Sequence, residues 1–231
     1  MTLNILTLNN LPILKQLQIE EGLLRTSKEN WVLINHGSPK AIVMGISSSP
    51  EEVINLPLAH KDDIQIIQRF SGGGTVIVDE NTLFVTFIFQ KITHNFELYP
   101  NIILDWVGSI FKKSLNLPEF TIQGNDFALQ DKKIGGNAQY IKKDRFLHHT
   151  SFLMDFTPSN MNYLLHPPKE PEYRQGRSHL DFITPLAPHI SKIEFESRLM
   201  TSLLGSYQTV LNPQLPIFPN HRIATNIFNQ L

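Results

Sequence analysis

Three consecutive glycines stand directly after an arginine-containing strand end, in the segment Gln68–Val76. Glycine lets a ligand approach the backbone closely, so the amides of Gly72, Gly73 and Gly74 could surround an anion or a carbonyl oxygen. The planar guanidinium of Arg69 could bind a phosphate. Taken alone, the segment is equally compatible with a flexible turn beside a surface arginine. It is neither a P-loop nor a dinucleotide fingerprint, because no Gly-Lys-Ser/Thr follows and the next run is β-rich.

A second glycine pair follows a lysine, in Lys133-Ile-Gly135-Gly136. An ammonium beside open backbone can neutralise an α-phosphate while neighbouring amides bind nearby oxygens. Asn125 and Asp126 precede this segment by a few residues. The alternative interpretation is a hairpin turn with solvated lysines.

Adjacent histidines, His148 and His149, lie in a run that is predicted to be a strand. Neighbouring residues of a strand point to opposite faces, so the two rings cannot easily bind one metal ion. We expect one ring to be buried with its nitrogens satisfied and the other to line a site.

The composition limits the classes of function. With 231 residues, 41% of them hydrophobic and 18% charged, the chain can form one globular domain with a real core. A formal net charge of −1 gives little support to nucleic-acid binding. The absence of cysteine excludes disulfides, thiolate metal sites and a thiol nucleophile. No signal peptide or membrane-spanning run is evident, so we expect a cytoplasmic protein that does not bind membranes.

Hydrophobic periodicity and turn residues predict the elements that must position these groups. The predicted helices cover 12–25, a start at Ser49-Pro50, 99–115, 160–165 and 191–204. The predicted strands cover 31–34, 41–44, 64–69, a hairpin of 75–78 with 82–89, and three strands between 126 and 156. The stretch 166–189 is expected to be a long, functional loop.

Strands and helices are interspersed, which predicts an α+β fold with a mixed, mainly antiparallel sheet flanked by helices. We expect one domain over residues 1–231, with its core at about 11–205 and without a separate C-terminal accessory domain.

The order and spacing of these segments resemble the lipoate–protein ligase family, whose catalytic domain is shared with biotin–protein ligases. The resemblance runs from about Leu11 to Pro185. The matching segments are Leu17-Gln-Ile-Glu-Glu21, Val43-Met-Gly-Ile46, Arg69-Phe-Ser-Gly-Gly-Gly74, Gly124-Asn-Asp126, Lys133-Ile-Gly-Gly-Asn-Ala138 and His148-His149. Biotin–protein ligases differ in having an arginine-rich glycine loop.

The resemblance implies a two-step reaction. Lipoate and ATP, with Mg²⁺, form lipoyl-AMP and pyrophosphate, and a lysine of an apo lipoyl domain then attacks the mixed anhydride. The implied acceptors are the E2 subunits of 2-oxoacid dehydrogenases or the glycine-cleavage H protein.

Lys133 is the catalytic residue that the resemblance implies, stabilising charge on the α-phosphate and on the acyl oxygen. Asp126 is the implied ligand of Mg²⁺. The residues expected to bind lipoate and nucleotide are Arg69, Ser71, Gly72, Gly73, Gly74, Thr75, Asn125, Asp126, Gly135, Gly136, Asn137, Ala138 and His149. The loop at 166–189 is a weaker candidate for shielding the adenylate from water.

The sequence departs from the family pattern in three places. Val78 precedes Asp79 where family members often have a histidine. Only residues 205–231 follow the last predicted helix, so a separate accessory ligase subunit could be needed for adenylation. The segment Pro171–Arg177 is unlike the corresponding part of the long ligases.

Two alternatives remain. An octanoyltransferase without ATP would share the fold, but related enzymes use a cysteine, which this chain lacks. A non-catalytic module that binds lipoate or its adenylate would keep the pocket, although it has less need of Lys133.

Overall fold

Two β-sheets and six α-helices make up the computed structural model, which describes residues 2–228. The strands are β1 (Thr2–Asn9), β2 (Asn30–His36), β3 (Ala41–Met44), β4 (Gln65–Gln68), β5 (Val76–Val78), β6 (Thr82–Gln90), β7 (Phe120–Gln123), β8 (Asp126–Leu129), β9 (Lys132–Ile141), β10 (Arg145–Leu153), β11 (Gln208–Leu211) and β12 (Asn226–Ile227). The helices are α1 (Ile13–Thr26), α2 (Pro50–Val53), α3 (Leu56–Lys61), α4 (Pro100–Leu115), α5 (His179–Phe182) and α6 (Lys192–Leu204), with 3-10 turns at Lys91–Thr93, Pro158–Tyr163 and Glu172–Arg174.

The larger sheet has eight strands in the order β11-β1-β2-β6-β10-β9-β8-β7. Within it β1 runs parallel to both β2 and β11, and the other neighbours are antiparallel. The smaller sheet, β12-β4-β3-β5, has one parallel pair, β3 with β4. The predicted α+β class, with mixed but mainly antiparallel sheets flanked by helices, is confirmed.

The centre of the larger sheet is covered by α4 and α6. The first eight residues of β6 are buried, as expected for an apolar run with a strand on each side. From α4, Val107 and Phe111 face this sheet, and Phe111 meets Phe87, Phe152 and Phe195 edge to face at 4.8–5.9 Å between ring centroids. The α4 helix ends at Asn116, whose left-handed φ of 53° closes it.

The predicted hairpin of 75–89 is wrong. The two strands belong to different sheets, since β5 pairs with β3 whereas β6 lies between β2 and β10. A tight turn at Asp79 does connect them, with Thr82 N donating to Asp79 O and Asn81 N to Asp79 Oδ1. The turn chemistry was therefore recognised, but local sequence carries no information on which partners the strands choose.

Sequence periodicity also missed four strands, β1, β7, β11 and β12, and the segment 166–189 contains α5 and a 3-10 turn within its irregular path. The helix that begins at Pro50 is only one turn long, and the 160–165 helix is a 3-10 turn at Pro158–Tyr163. Among residues 2–228, none of the helices has the length and apolar character needed to cross a bilayer.

A buried acid fastens the C-terminal tail to α1. Glu21 is fully buried, and its carboxylate accepts the backbone N–H groups of Ala224 and Thr225 at 3.0 Å. Arg25 provides the countercharge 2.7 Å away. The tail then pairs as β12 with β4, and Thr225 Oγ1 accepts from Phe70 N at 3.3 Å. The tail therefore braces the strand that leads into the glycine segment.

We expect Glu21→Ala to lower the free energy of unfolding by about 3 kcal/mol, because two backbone amides and Arg25 lose a charged acceptor. Urea denaturation followed by circular dichroism measures this. Glu194→Ala is the control, since Glu194 forms an exposed pair with Arg198 and its loss should cost less than about 0.5 kcal/mol. Equal effects of the two substitutions would contradict a fastening role for Glu21.

Candidate functional site

A cavity of about 1350 Å³ opens between the two sheets, where the glycine segment faces β9 and β10. Twelve of the predicted site residues line it: Arg69, Gly72, Gly73, Gly74, Thr75, Asn125, Asp126, Lys133, Gly136, Asn137, Ala138 and His149. Two others do not. Ser71 is buried, with its carbonyl bonded to Ile46 N, and the Cα–H of Gly135 faces the ring of Phe152 in the core.

Arg69 organises the glycine segment from beneath. The guanidinium is buried and donates to the carbonyl oxygens of Gly72 at 3.0 Å, Gly74 at 2.8 Å and Val43 at 3.4 Å. Burial lowers the pKa of Arg69 to about 10. The sequence predicted a fork open to a phosphate, whereas these donors are used by the backbone. The charge therefore sits under the loop and shapes it.

Gly73 is the position in this loop that requires glycine. Its φ is +115°, and a Cβ there would lie 2.6 Å from Arg69 Nη2 and 2.9 Å from the carbonyl of Asn137. Gly72 and Gly74 have no atom within 4 Å of the corresponding point. Gly73 therefore makes the close contact between the loop and β9, while its two neighbours border open space.

The charged centre of the cavity is an ion pair between neighbouring strands. Lys133 Nζ, at the start of β9, lies 2.8 Å from Asp126 Oδ1, at the start of β8. The pairing of the two strands is irregular between Phe127 and Ala128. A Cβ at Gly136 would stand 3.3 Å from Lys133 Nζ, so the absence of a side chain leaves space beside the ammonium.

The other oxygen of Asp126, Oδ2, accepts a hydrogen bond from the Tyr173 hydroxyl at 3.0 Å. Burial, the charge of Asp126 and this hydrogen bond raise the pKa of Tyr173, so the hydroxyl keeps its proton. The segment around Tyr173 is unusual in sequence, but its contact with Asp126 was not predicted. No local pattern could reveal it, because Tyr173 and Asp126 are 47 residues apart.

His148 orients Asn137 from behind the cavity wall. Its Nε2 is 3.1 Å from Asn137 Oδ1, and its Nδ1 is 2.9 Å from Gln139 Nε2. The Asn137 amide in turn donates to the carbonyl of Asn125 at 2.9 Å. Both ring nitrogens are thus satisfied by the neutral imidazole. Burial, together with the charge of His149, lowers the pKa of His148 to about 3.

His149 lines the cavity, as predicted, and is held by an acid that the sequence analysis did not assign to the site. Glu20 is fully buried on α1, with Oε1 3.0 Å from His149 Nδ1 and 2.7 Å from Thr86 Oγ1. Gln16 Nε2 also donates to this carboxylate. Glu20 lies on the same helical face as the buried Leu17 and Leu24. An acid on an otherwise apolar face was the sequence signal that could have identified Glu20 as a buried residue of the site.

The cavity lining includes both apolar and charged groups. Ile13, Leu17, Val43 and Phe84 belong to one apolar cluster, and the Phe84 ring lies 5.7 Å from that of His149. Lys133, Asp126 and the proline-rich stretch 167–171 also line the cavity. Such a lining fits a ligand that has both an apolar chain and an anionic group.

Residues 2–228 contain no cluster of three or more His, Cys, Asp or Glu that could hold a metal ion. Asp126 is the carboxylate nearest Lys133, and its two oxygens are already engaged. Mg²⁺ commonly binds through one or two carboxylates together with substrate phosphates and water. The described carboxylates therefore form no metal site by themselves, and a Mg²⁺ in this cavity would need most of its ligands from a bound substrate, with at most Asp126 from the protein.

The chain matches the family model described as the lipoyl protein ligase A/B catalytic domain over residues 12–203. A curated relative named inactive lipoate–protein ligase 2, from Plasmodium falciparum, is 31% identical over 69% of this chain and 50% of its own length. Lipoate-protein ligase A of Blochmanniella floridana is 26% identical over 86% of this chain and 60% of its own length. The chain thus spans half to three fifths of these relatives.

Solved structures show the same fold. A lipoate-protein ligase A bound with ATP superimposes with a TM-score of 0.72 at 17% identity, covering 91% of this chain and 90% of that one. A bi-partite lipoate protein ligase from Thermoplasma acidophilum gives a TM-score of 0.72 at 16% identity, covering 90% and 86%.

We expect Gly73→Ala to lower the free energy of unfolding by about 2 kcal/mol, because the methyl group meets Arg69 and Asn137 at a positive φ. Gly72→Ala is the matched control and should change stability by less than about 0.5 kcal/mol, since its methyl enters open space. Thermal and urea denaturation of both variants measure the difference. Equal stability of the two would show that the loop differs from this geometry.

A second prediction concerns His148 and acid. Because the pKa of His148 in the folded protein lies below its value in the unfolded chain, the unfolded chain binds more protons at acidic pH. The stability that the neutral His148 contributes is therefore full above about pH 6.5. It is lost as the pH falls towards 3, by up to about 1.4 kcal/mol per pH unit. We expect His148→Gln to flatten the pH dependence of unfolding between pH 6.5 and 4.5. An unchanged slope would contradict a buried neutral imidazole.

Proposed function

The chain belongs to the lipoyl protein ligase A/B catalytic-domain family, and we propose on that premise that it is an ATP-dependent lipoate–protein ligase. Its reaction would activate lipoate as lipoyl-AMP and transfer the lipoyl group to a lysine of an apo lipoyl domain. The observation that carries the proposal is the Lys133–Asp126 pair in a cavity that apolar residues such as Leu17 and Phe84 also line.

In the first step, a carboxylate oxygen of lipoate attacks the α-phosphorus of ATP and pyrophosphate leaves. Lys133 would neutralise charge that develops on the α-phosphate oxygens and on the attacking carboxylate. In the second step, the neutral amine of the acceptor lysine attacks the acyl carbonyl, AMP leaves, and the amine loses a proton. Lys133 would then stabilise the acyl oxyanion. One well-placed donor of this kind is worth ~3 kcal/mol, about a hundredfold in rate.

The other residues would bind and protect the reactants. The apolar side chains of Leu17 and Phe84 in the cavity lining suit the acyl chain, and Gly72 and Gly74 border open space in the cavity. Asn125 and Asn137, joined by a hydrogen bond, would position the adenylate. Mg²⁺, arriving with ATP, would supply further positive charge at the phosphates. The 167–171 stretch also lines the cavity and would keep water from the mixed anhydride.

We propose lipoyl domains of 2-oxoacid dehydrogenase E2 subunits, or the glycine-cleavage H protein, as acceptors. One structural relative is a bi-partite ligase, which supports the possibility of a separate accessory subunit for this chain. In that case the isolated chain would transfer from preformed lipoyl-AMP but form the adenylate poorly.

A second candidate is a non-catalytic module that binds lipoate or its adenylate. The 31% identical relative that is named inactive favours it. The intact Lys133–Asp126 pair favours the ligase, since binding alone has less need of a charge at the α-phosphate. Octanoyl transfer without ATP is disfavoured because the chain has no cysteine.

Mass spectrometry of an apo lipoyl domain tests these candidates directly. The domain is incubated with the chain, lipoate, ATP and Mg²⁺, and in parallel with the chain and synthetic lipoyl-AMP. A mass gain of one lipoyl group in both reactions supports the ligase, and a gain only from the adenylate indicates that an accessory subunit is required. No gain in either reaction, together with tight adenylate binding by calorimetry, would establish the binding module. Octanoyl-lysine formed from octanoyl carrier protein without ATP would revive the transferase.

We expect Lys133→Ala to lower the rate of lipoyl transfer by at least about a hundredfold. The fold should stay intact, since Lys133 contributes little apolar packing. Lys132→Ala is the matched control, because Lys132 is adjacent on β9 but exposed and should be dispensable. Near-normal turnover by Lys133→Ala would show that its role is misassigned.

A further inference from the structure

The segment Pro171–Arg177 packs against the strand that carries Lys133. Arg177 Nη2 donates to the carbonyl of Tyr173 at 2.7 Å and to the carbonyl of Asp131 at 2.9 Å, while Nη1 lies 2.8 Å from Asp131 Oδ2. Asp131 belongs to the turn between β8 and β9. A single arginine therefore ties the backbone at Tyr173 to the turn that joins the strands of Asp126 and Lys133.

The ring of Tyr173 packs at a tilt against Phe182, which two arginines also contact. Its centroid lies 5.0 Å from that of Phe182, and the guanidiniums of Arg174 and Arg177 lie 4.9 and 5.5 Å from the Phe182 centroid. Arginine commonly stacks on aromatic faces in this way. Just beyond Phe182 the chain joins β9 itself, because Thr184 N donates to the carbonyl of Lys133 at 3.0 Å. The Tyr173 ring is therefore held near β9 by two contacts that follow it in the chain: Arg177 with Asp131 and Thr184 with Lys133.

Because of the Tyr173 hydroxyl, the two oxygens of the Asp126 carboxylate have different partners. Oδ2 accepts from Tyr173 and Oδ1 faces Lys133. With one oxygen engaged by a neutral donor, the carboxylate cannot turn to present both oxygens to the ammonium. A lysine ammonium has three donors, and a single carboxylate oxygen leaves others free for substrate oxygens.

We propose that Tyr173 is a positioning residue that orients Asp126 and thereby sets the position of the Lys133 ammonium. The role in catalysis rests on the proposed ligase function, whereas the effect on Lys133 itself does not depend on it. Removing the hydroxyl would let Asp126 rotate, so the ammonium would lose its defined place in the cavity.

The test is Tyr173→Phe, which keeps the ring and its packing on Phe182 and removes only the hydroxyl. Its matched control is Tyr163→Phe. Tyr163 also donates to an aspartate, Asp62, at 2.7 Å, but it does not line the cavity. Two measurements are made on the full chain: the amine reactivity of Lys133, and the rates of adenylate formation and lipoyl transfer.

Competitive acetylation with acetic anhydride, followed by mass spectrometry, gives the reactivity of Lys133 relative to its exposed neighbour Lys132. We expect Tyr173→Phe to lower this ratio, by up to about fivefold, because the freed carboxylate can then present both oxygens to the ammonium and hold it protonated, and we expect Tyr163→Phe to leave the ratio unchanged. In an Asp126→Asn background, Tyr173→Phe should have no further effect, because it acts through Asp126. An unchanged or increased ratio, or an equal decrease in the Asp126→Asn background, would overturn the proposal.

The kinetic measurement then separates positioning from binding. We expect Tyr173→Phe to lower kcat by about tenfold or more with KM for ATP and lipoate changed less than about twofold, as displacement of a reacting group does. A rise in KM alone would contradict the positioning role. If the unmodified chain gives no product with ATP or with lipoyl-AMP, the ligase function fails, and the labelling ratio still decides whether Tyr173 orients the Asp126–Lys133 pair.

Discussion

The contact between Lys133 and Asp126 is the interaction on which the site depends. It is made by side chains at the starts of two neighbouring strands, so its geometry follows from the irregular pairing of β8 with β9. The pair is only partly exposed, and the space beside it exists because residue 136 has no side chain. The position of the Lys133 ammonium therefore depends on the pairing of β8 with β9, on Gly136 and on the distant Tyr173.

Buried charge recurs around the cavity, and each instance is satisfied in a different way. Arg69 has its donors on backbone carbonyls, Glu20 accepts from a threonine and a glutamine and faces a histidine, and Glu21 accepts two backbone amides and an arginine. Leaving such groups unpaired in a low-dielectric interior is costly. The Arg69 contacts therefore shape the glycine loop and hold it against β3, while Glu20 and Glu21 hold His149 and the tail against α1.

Some helices and strands could be predicted from the sequence, and others could not. The helices α1, α4 and α6 and the three strands from β8 to β10 were predicted from local periodicity and turns, since each carries its signal within its own residues. The strands 75–78 and 82–89 were found but wrongly paired, because the choice of partner depends on residues far along the chain. The short edge strands β11 and β12 gave no periodic signal at all.

The sequence by itself determined the α+β class, the motif residues and the family, because glycine patterns, a lysine and an absent cysteine are properties of residue type and order. Only the tertiary structure decided what those residues touch. It placed Ser71 and Gly135 outside the cavity lining, turned Arg69 towards the backbone, and brought Glu20 to His149 and Tyr173 to Asp126. These contacts join residues between 3 and 129 positions apart, and only the packing of the folded chain brings the distant ones into hydrogen-bonding distance.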